Sequence, residues 1–193
     1  MSKPVVAITR PKDRAKKACE IVENLGGSAV LAPTLDLEPV NSESLKELVE
    51  RKDELDWIIF TSATTIVSLN KFYPEFLESL NCNLAVIGNK TGKLAEKQGM
   101  TVDLMPEEFT AEGLIEEFKK QGITGKTIGI PRTASARPIL PEELEKLGNT
   151  VILAEAYKSL FPMDEKAVKE LIEKIENKEI DAITFTSPLT VDL

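Results

Sequence analysis

Apolar and polar residues alternate along this chain in two rhythms. Short apolar runs, such as 5–9 and 56–60, are typical of buried strands. Longer segments, such as 12–25, carry apolar residues at helical spacing and end at glycine, here Gly26. Because the two kinds of segment alternate, the pattern predicts an α/β fold with parallel sheets and right-handed crossovers.

The pattern also predicts where the individual elements lie. The predicted strands are 5–9, 28–32, 56–60, 84–87, 101–104, 127–130, 151–154 and 181–185. The predicted helices are 12–25, 45–51, 63–70, a helix after segment 88–91 that ends at 98, 112–120, 141–147 and 167–175. Ser42, Thr110 and Asp164 stand where helix N-caps are expected. Segments 35–40 and 155–160 have the pattern of extended connectors.

The chain also resembles itself. At an offset of 122 residues, segment 6–32 aligns with 128–154 with eight identities. At an offset of 125 residues, segment 56–66 aligns with 181–191 with six identities in eleven positions. Generic βα segments share apolar strands and glycine-ended helices, but two blocks in the same order at nearly the same offset favour an internal duplication.

The duplication predicts how the chain should continue. The first repeat runs past its second block into segment 84–104, and the second repeat is expected to do the same. The chain stops at Leu193, shortly after Ser187 and Pro188, which resemble an N-cap and a first helical residue. We therefore expect these 193 residues to be a fragment that ends within the second repeat.

Composition limits the classes of protein that fit this pattern. With 42% hydrophobic and 29% charged residues, the 193-residue chain can form a packed core. No apolar run approaches the ~20 residues that span a bilayer. The N-terminus becomes charged before an apolar signal segment develops. We therefore expect a soluble, cytoplasmic protein without a membrane partner.

Missing residue types limit the chemistry. The chain has no histidine, which removes histidine-based acid–base catalysis, Ser-His-Asp triads and histidine metal sites. Cys19 and Cys82 stand in no metal-binding spacing, so we predict no metal site. The net charge of −8 is opposite in sign to that of a typical nucleic-acid binder, so we expect no nucleic-acid partner.

Hydroxyl and basic side chains follow several predicted strands. In open α/β sheets, ligands bind beyond the carboxyl ends of the strands, where helix N-termini offer amide groups. Basic side chains at these ends add directed charge, so the pattern predicts a site for a polycarboxylate ligand. The candidate binding residues are Arg10, Thr61, Ser62, Asn89, Lys90, Arg132, Thr186 and Ser187, with Thr91 beside them. A single Ser or Thr in such a place can equally be a helix cap, and an arginine a surface charge, but Arg10 and Arg132 are equivalent in the repeat.

Tyr157 is one of only two tyrosines and lies in the predicted connector 155–160. A tyrosine in a connector can simply pack its ring against the core. The alternative is a phenol that faces an interdomain cleft and donates a proton to a leaving hydroxyl. Both interpretations stay open on the residues alone.

These motifs, taken in order, resemble the uroporphyrinogen-III synthase family of tetrapyrrole biosynthesis. The similar segments are Ile-Thr-Arg-Pro at 8–11, Ile-Ile-Phe-Thr-Ser at 58–62, Val-Ile-Gly-Asn-Lys-Thr at 86–91, Thr-Ala-Glu-Gly-Leu at 110–114, the segment around Arg132, Ala-Tyr at 156–157 and Ile-Thr-Phe-Thr-Ser-Pro at 183–188. Together they cover essentially the whole chain, and they stand in the order of the family.

The resemblance implies an α/β fold of two flavodoxin-like parallel-sheet domains joined by a two-stranded antiparallel connector. Domain one would comprise 1–34 and 161–193 and would lack its last elements. Domain two would comprise 41–153, and the connecting strands would be 35–40 and 154–160. The resemblance also implies that the repeats exchange their first βα elements between the domains.

The reaction implied by the resemblance converts linear hydroxymethylbilane to uroporphyrinogen III. Water is lost, the last pyrrole ring is inverted and the macrocycle closes, without a metal or an organic cofactor. Tyr157 would assist departure of the hydroxyl and Thr91 would contact the substrate, a small-molecule polycarboxylate. The family also suggests a monomer.

Two other functions fit the same architecture. One is a non-catalytic two-lobed module that binds a small anion and leaves it unchanged. The other is a receiver-like domain, which needs an acidic cluster at the strand ends, where this chain carries Thr, Ser and Arg instead. We expect the synthase, and we expect the 193-residue chain to be inactive alone.

Overall fold

A computed structural model describes residues 3–161 and 165–186 of the chain. The strands are β1 (Val5–Ile8), β2 (Ser28–Leu31), β3 (Asp36–Pro39), β4 (Trp57–Phe60), β5 (Asn83–Val86), β6 (Thr127–Arg132), β7 (Thr150–Glu155), β8 (Tyr157–Leu160) and β9 (Ala182–Thr184). The helices are α1 (Lys12–Asn24), α2 (Glu43–Glu50), α3 (Ala63–Phe72), α4 (Asn89–Lys97), α5 (Ala111–Lys120), α6 (Ile139–Lys146) and α7 (Glu165–Glu176), with a short 3-10 helix at Lys52–Glu54. The α/β prediction is confirmed.

Helix ends follow the predicted capping residues. The Ser42 hydroxyl accepts the Leu45 N–H at 3.1 Å and begins α2. The Thr110 hydroxyl accepts the Gly113 N–H at 2.9 Å and begins α5. Each bond satisfies one of the amides that a helix leaves without a partner in its first turn. The predicted cap Asp164 lies outside the described residues.

One predicted strand, 101–104, does not form. Its only ladder contact is an isolated parallel bridge between Leu104 and Ala85. The Asp103 carboxylate accepts the Leu84 N–H at 2.7 Å, so a side chain takes the place of a backbone carbonyl beside β5. The segment therefore ends at one bridge, because a side-chain acceptor cannot extend a backbone ladder.

The described chain divides into two compact units. Unit 2 comprises residues 38–158 and contains a four-stranded parallel sheet in the order β5-β4-β6-β7. Helices α5 and α6 cover one face, where the rings of Trp57 and Phe118 lie 5.2 Å apart between their centroids. Helix α2 contacts β6 and β7. This buried core holds the carboxyl ends of the four strands in fixed positions.

Unit 1 comprises the described residues 3–37, 159–161 and 165–186. It contains a three-stranded parallel sheet in the order β2-β1-β9, with a small buried cluster of Ala7, Ala32 and Leu171. Strands β3 and β8 pair in a two-stranded sheet, in the two segments that the sequence predicts as extended connectors.

The two units share one strand register, which agrees with the duplication. Strand β1 pairs with β2 through Val5↔Ser28, and β6 pairs with β7 through Thr127↔Thr150, which is the same pairing shifted by 122 residues. Strand β9 pairs with β1 through Val6↔Ala182, and β4 pairs with β6 through Trp57↔Ile128, which is again equivalent. The first repeat therefore supplies β1 and β2 to unit 1 and β4 to unit 2, and the second repeat does the converse. The predicted exchange of elements is confirmed.

Candidate functional site

The carboxyl edge of the unit 2 sheet is where we expect a ligand. All four strands are parallel, and β4 and β6 lie side by side at the centre of the sheet. From β4 the chain goes outward to β5, and from β6 it goes outward in the other direction to β7. The β4–β6 pair is therefore a topological switch point, where ligands of open α/β sheets bind.

Three predicted residues, Asn89, Lys90 and Thr91, form the first turn of α4 after β5. Gly88 precedes them with φ of 87°, in the left-handed region that favours glycine, and no side chain caps the helix. The amides of Thr91 and Gly92 donate to the Gly88 carbonyl, whereas the two amides before them have no intrahelical acceptor. This open helix end presents amides and the positive end of the dipole beside the exposed Lys90.

The hydroxyl of Thr91 differs from two buried hydroxyls of unit 2. Thr65 donates to the Pro131 carbonyl at 3.1 Å, and Ser68 donates to the Ala156 carbonyl. Thr91 is only 4% exposed, yet its hydroxyl makes no hydrogen bond to any residue that the structure describes. The Thr91 hydroxyl is also not one of the buried side-chain atoms that lack a partner, so it is open at the surface and available to a ligand at the end of β5.

Thr61 and Ser62 follow β4, and the structure gives Ser62 a capping role. The Ser62 hydroxyl accepts the Thr64 N–H at 3.2 Å and donates to the Thr64 hydroxyl at 3.3 Å, so it begins α3. Thr61 is half-buried at the strand end. The capping alternative that the sequence left open therefore applies to Ser62.

Arg132 ends β6, and its guanidinium is buried rather than presented to solvent. The residue is 8% exposed. Its Nη1 donates to the Arg137 carbonyl at 2.8 Å, and its Nη2 donates to the Ala136 carbonyl at 3.1 Å. The guanidinium thus holds the 133–138 loop. Burial lowers the pKa of Arg132, and the neighbouring Tyr157 phenol opposes that shift.

Tyr157 begins β8 and is 7% exposed. The preceding residue, Ala156, is fixed on both sides of its backbone. Its N–H donates to the Arg132 carbonyl at 2.8 Å, and its carbonyl accepts from Ser68 and from the Val40 N–H, the latter at 3.0 Å. Tyr157 is therefore anchored to β6 and α3, and its phenol interacts electrostatically with Arg132.

A cavity of about 310 Å³ adjoins Arg132. It is lined by Ser44, Arg132, Thr133, Ala134, Leu153, Ala154 and Glu155. The hydroxyl of Ser42 donates to the Glu155 carbonyl at 2.7 Å, and the hydroxyl of Ser44 accepts the Glu155 N–H at 3.0 Å. The sequence indicates Ser42 only as a cap and gives no role to Ser44, because two serines at a helix start carry no signal of a distant strand.

A larger cavity, of about 620 Å³, lies at the opposite, amino ends of β4 and β5. Burial raises the pKa of Cys82 in its wall to about 11, so this thiol is not an activated nucleophile.

Within residues 3–161 and 165–186, no group of three His, Cys, Asp or Glu side chains is arranged to hold a metal ion. In the same part of the chain, no helix has both the length and the apolar character needed to cross a membrane.

Unit 1 has its own carboxyl edge with the remaining predicted residues. Arg10 follows β1 and is half-buried, and Thr186 follows β9 and is exposed. The hydroxyl of Thr9 donates to the Thr184 carbonyl at 2.7 Å and links the two strand ends. Ser187 lies outside the described residues.

Within unit 2 the structure brings the predicted residues together in two groups. Arg132 and Tyr157 interact at the ends of β6 and β7, with Thr133 beside Arg132 in the cavity wall. Asn89, Lys90 and Thr91 form the second group at the end of β5, and Thr91 does not line the cavity beside Arg132. The strand that separates the two groups is β4.

Comparisons with known proteins agree with this architecture. A protein of Methanothermobacter thermautotrophicus, whose description as a uroporphyrinogen-III synthase is provisional, is 44% identical over 189 residues, which cover 97% of this chain and 75% of that protein. The uroporphyrinogen-III synthase of Synechococcus elongatus is 27% identical over 96% of this chain and 71% of its own length.

Solved structures share the fold. A crystal structure of uroporphyrinogen III synthase from Thermus thermophilus matches with a TM-score of 0.71 and 18% identity, over 98% of this chain and 75% of that one. The two-domain parallel-sheet fold predicted from the sequence is therefore confirmed. The family model described as uroporphyrinogen-III synthase HemD matches residues 16–192. Because this match covers nearly the whole chain and the fold agrees with it, the chain belongs to the uroporphyrinogen-III synthase family.

Proposed function

We propose that this chain is an enzyme that converts linear hydroxymethylbilane to uroporphyrinogen III in tetrapyrrole biosynthesis. The observation that supports this most is the family match over residues 16–192. The geometry of unit 2 suits the same reaction, since its carboxyl edge combines an open helix N-terminus with a nearly buried tyrosine. The substrate is a flexible polycarboxylate, which needs anion-binding groups to fold it and one proton donor.

The first turn of α4 binds carboxylates of the substrate in this proposal. The amides of Asn89 and Lys90 and the ammonium group of Lys90 supply donors and positive charge. The Thr91 hydroxyl, which has no hydrogen-bond partner among the described residues, contacts the substrate directly. Thr61 and Ser62 border this region at the end of β4. Arg10 and Thr186 of unit 1 stay predicted carboxylate ligands, and so does Ser187, which lies outside the described residues.

Tyr157 starts the reaction by giving its phenolic proton to the substrate hydroxyl. The carbon–oxygen bond breaks, its electron pair leaves with the oxygen as water, and a pyrrole-stabilised azafulvene cation remains. Attack by the substituted carbon of the last ring on the cationic methylene carbon then gives a spiro intermediate. The bond from that ring carbon to its original methylene bridge breaks, and the unsubstituted carbon of the inverted ring attacks the released methylene and closes the macrocycle. The proton released in that closure restores the phenol. Most of the catalytic effect comes from orientation, because the enzyme must direct attack to the hindered carbon.

The test of the function is to incubate the purified 193-residue chain with hydroxymethylbilane and to separate isomers I and III of the product. Isomer III above the spontaneous formation of isomer I supports the proposal. That result also refutes the expectation that this length of chain is inactive alone. Isomer I as the only product agrees with that expectation and contradicts the proposal for this length of chain. Saturable binding of hydroxymethylbilane in that case favours the non-catalytic anion-binding module.

Replacing Tyr157 with Phe should slow isomer III formation by about 10²- to 10⁴-fold, because general acid catalysis contributes on that scale. The circular dichroism spectrum should not change, since the ring is retained. Tyr73→Phe is the matched control: its hydroxyl donates to Asn41 at 2.7 Å on the surface, and its loss should leave the rate unchanged. Equal rates for the parent and Tyr157→Phe would remove Tyr157 from the mechanism.

A further inference from the structure

Arg132 is a buried cation whose hydrogen-bond partners are all neutral. It is 8% exposed, and the acceptors it uses are the carbonyls of Ala136 and Arg137. No carboxylate in the part of the chain that the structure describes forms an ion pair with it. A buried charge is unfavourable unless an opposite charge accompanies it. The position therefore suits an anion that forms beside the guanidinium.

The group placed to become that anion is the phenol of Tyr157. Ala156, the residue before it, donates its N–H to the Arg132 carbonyl at 2.8 Å, which holds the start of β8 against the end of β6. The phenol interacts electrostatically with the guanidinium, and Tyr157 is 7% exposed. With so little water around them, a cation and a phenolate attract each other more strongly than they would on the surface.

We propose that Arg132 is a positioning residue whose charge stabilises the phenolate of Tyr157, while its two Nη groups hold the 133–138 loop. The inference rests on the proposed function, in which the O–H bond of Tyr157 breaks and its proton leaves in water. The phenolate left behind persists until the closing macrocycle returns a proton. A fixed cation beside it stabilises that state without having to reorganise, as preorganised charges do in enzyme sites.

The elements packed against this pair carry two negative groups, which would oppose the effect, together with neutral and positive groups. Glu155 lines the cavity beside Arg132 and pairs with it in the β6–β7 register. Helix α2, which packs on the same strands, carries Glu43 in its first turn. From α3, the residue that reaches Ala156 is the uncharged Ser68. Arg137 of the loop is engaged with Glu112 at 2.7 Å.

The test titrates the Tyr157 phenol directly. In a Tyr73→Phe background, biosynthetic 3-fluorotyrosine labels position 157 alone, and ¹⁹F NMR follows its ionisation with pH. We expect the folded midpoint to be no higher than that of the same chain unfolded in urea, although burial alone would raise it. Arg132→Met should raise the midpoint by about one pH unit or more, which is the effect of removing an adjacent opposite charge. Arg132→Lys keeps the charge and should shift it by much less.

Two controls separate charge from structure. Arg137→Met changes the same loop at an exposed arginine and should not move the midpoint, and Glu155→Gln should lower it. Equal midpoints for the parent and Arg132→Met would overturn the proposal. The proposal would also be overturned if the Tyr157 midpoint in the folded parent lay more than about one pH unit above that of the unfolded chain. This comparison needs no variant, so it tests the proposal even if Arg132→Met fails to fold. The titration contains no substrate, so a contrary midpoint refutes the interaction between Arg132 and Tyr157 without testing the reaction. The absence of isomer III in the separate product assay refutes the proposed function.

Discussion

At the scale of single residues, two aspartates at equivalent positions of the repeat make the same hydrogen bonds, each within its own sheet. The Asp56 carboxylate accepts the Thr127 N–H at 2.9 Å, and the Asp181 carboxylate accepts the Val5 N–H at 2.7 Å. The same residues also pair through their backbones, with both N–H···O distances at 2.9 Å. These aspartates align in the repeat, but the sequence indicates no role for them, because their partners lie 71 and 176 residues away.

The contacts of Asp56 predict how the unfolding free energy depends on pH. The Thr127 N–H and then the Lys126 ammonium group, 3.0 Å away, lower the pKa of Asp56. A lowered folded-state pKa means that the stabilisation is present above the ordinary aspartate pKa and is lost as the pH falls through the folded one. Asp56→Asn should therefore cost ~0.5–1 kcal/mol of unfolding free energy near pH 6, a small value because the side chain is partly exposed, and less near pH 2.5, where more of the carboxyl is protonated.

Urea unfolding followed by the fluorescence of Trp57, the only tryptophan, measures this difference within unit 2. Asp53→Asn is the control, because the Asp53 carboxylate makes no hydrogen bond or ion pair to any described residue. The same loss of stability between the two pH values in the parent and in Asp56→Asn would contradict the account.

At the scale of elements, the hydrophobic pattern is enough to locate nearly every helix and strand. Apolar spacing and capping residues are local signals, and the observed α2 and α5 begin at the predicted caps Ser42 and Thr110. The pattern fails at 101–104, where it predicts a strand that does not form. The Asp103 carboxylate decides that segment, because it bonds to a strand distant in sequence.

Two helical glycines of unit 2 should respond to alanine with opposite signs. A Cβ on Gly92 in α4 would have no neighbour nearer than Val86 Cγ2 at 3.5 Å, whereas a Cβ on Gly113 in α5 would lie 2.3 Å from the Glu108 carbonyl oxygen. Gly92→Ala should stabilise by ~0.5–1 kcal/mol through helix propensity. Gly113→Ala should destabilise by at least ~1 kcal/mol, because backbone must move.

The measurement is the urea midpoint for each variant, again from the fluorescence of Trp57. The two glycines serve as each other's control, since both lie in helices of the same unit. A stabilising effect of Gly113→Ala would show that the chain relaxes around the 108–113 turn at no cost.

At the scale of the whole molecule, the duplication places identical residues in different environments. Ile58 and Phe60 of β4 are 1% and 0% exposed. Their repeat equivalents at β9, Ile183 and Phe185, are 36% and 51% exposed. Strand β4 is paired on both sides, by β5 and β6, whereas β9 pairs only with β1 among the described strands. Equivalence in sequence therefore preserves the register but not the burial.

This difference predicts unequal costs for the same substitution. Phe60→Ala should lower the unfolding free energy by ~3–5 kcal/mol, the usual cost of a cavity in a core. Phe185→Ala should lower it by less than ~1 kcal/mol, because an exposed ring loses little packing. Thermal unfolding by circular dichroism compares the two variants with the parent. Comparable losses would indicate that Phe185 is buried in the folded protein in solution.

The candidate site is predictable in part. The sequence identifies Asn89, Lys90 and Thr91 as residues at a strand end, because a glycine turn after a buried strand is a local signal. Arg132 is predicted as a carboxylate ligand, but in the structure its guanidinium donates hydrogen bonds to carbonyls of the 133–138 loop. Its nearness to Tyr157 depends on the pairing of β6 with the chain after β7, which no local pattern reveals.

The order of residues was sufficient to establish the α/β alternation, the repeat and the family. These are encoded by short-range spacing and by resemblance, which do not require knowing how the chain returns on itself. The folded arrangement was needed to learn which copy of a repeated strand is buried, which hydroxyl is left without a described partner, and that a buried arginine lies beside a tyrosine. Those outcomes depend on contacts between segments distant in sequence, and burial then sets the energy of each charge and hydroxyl.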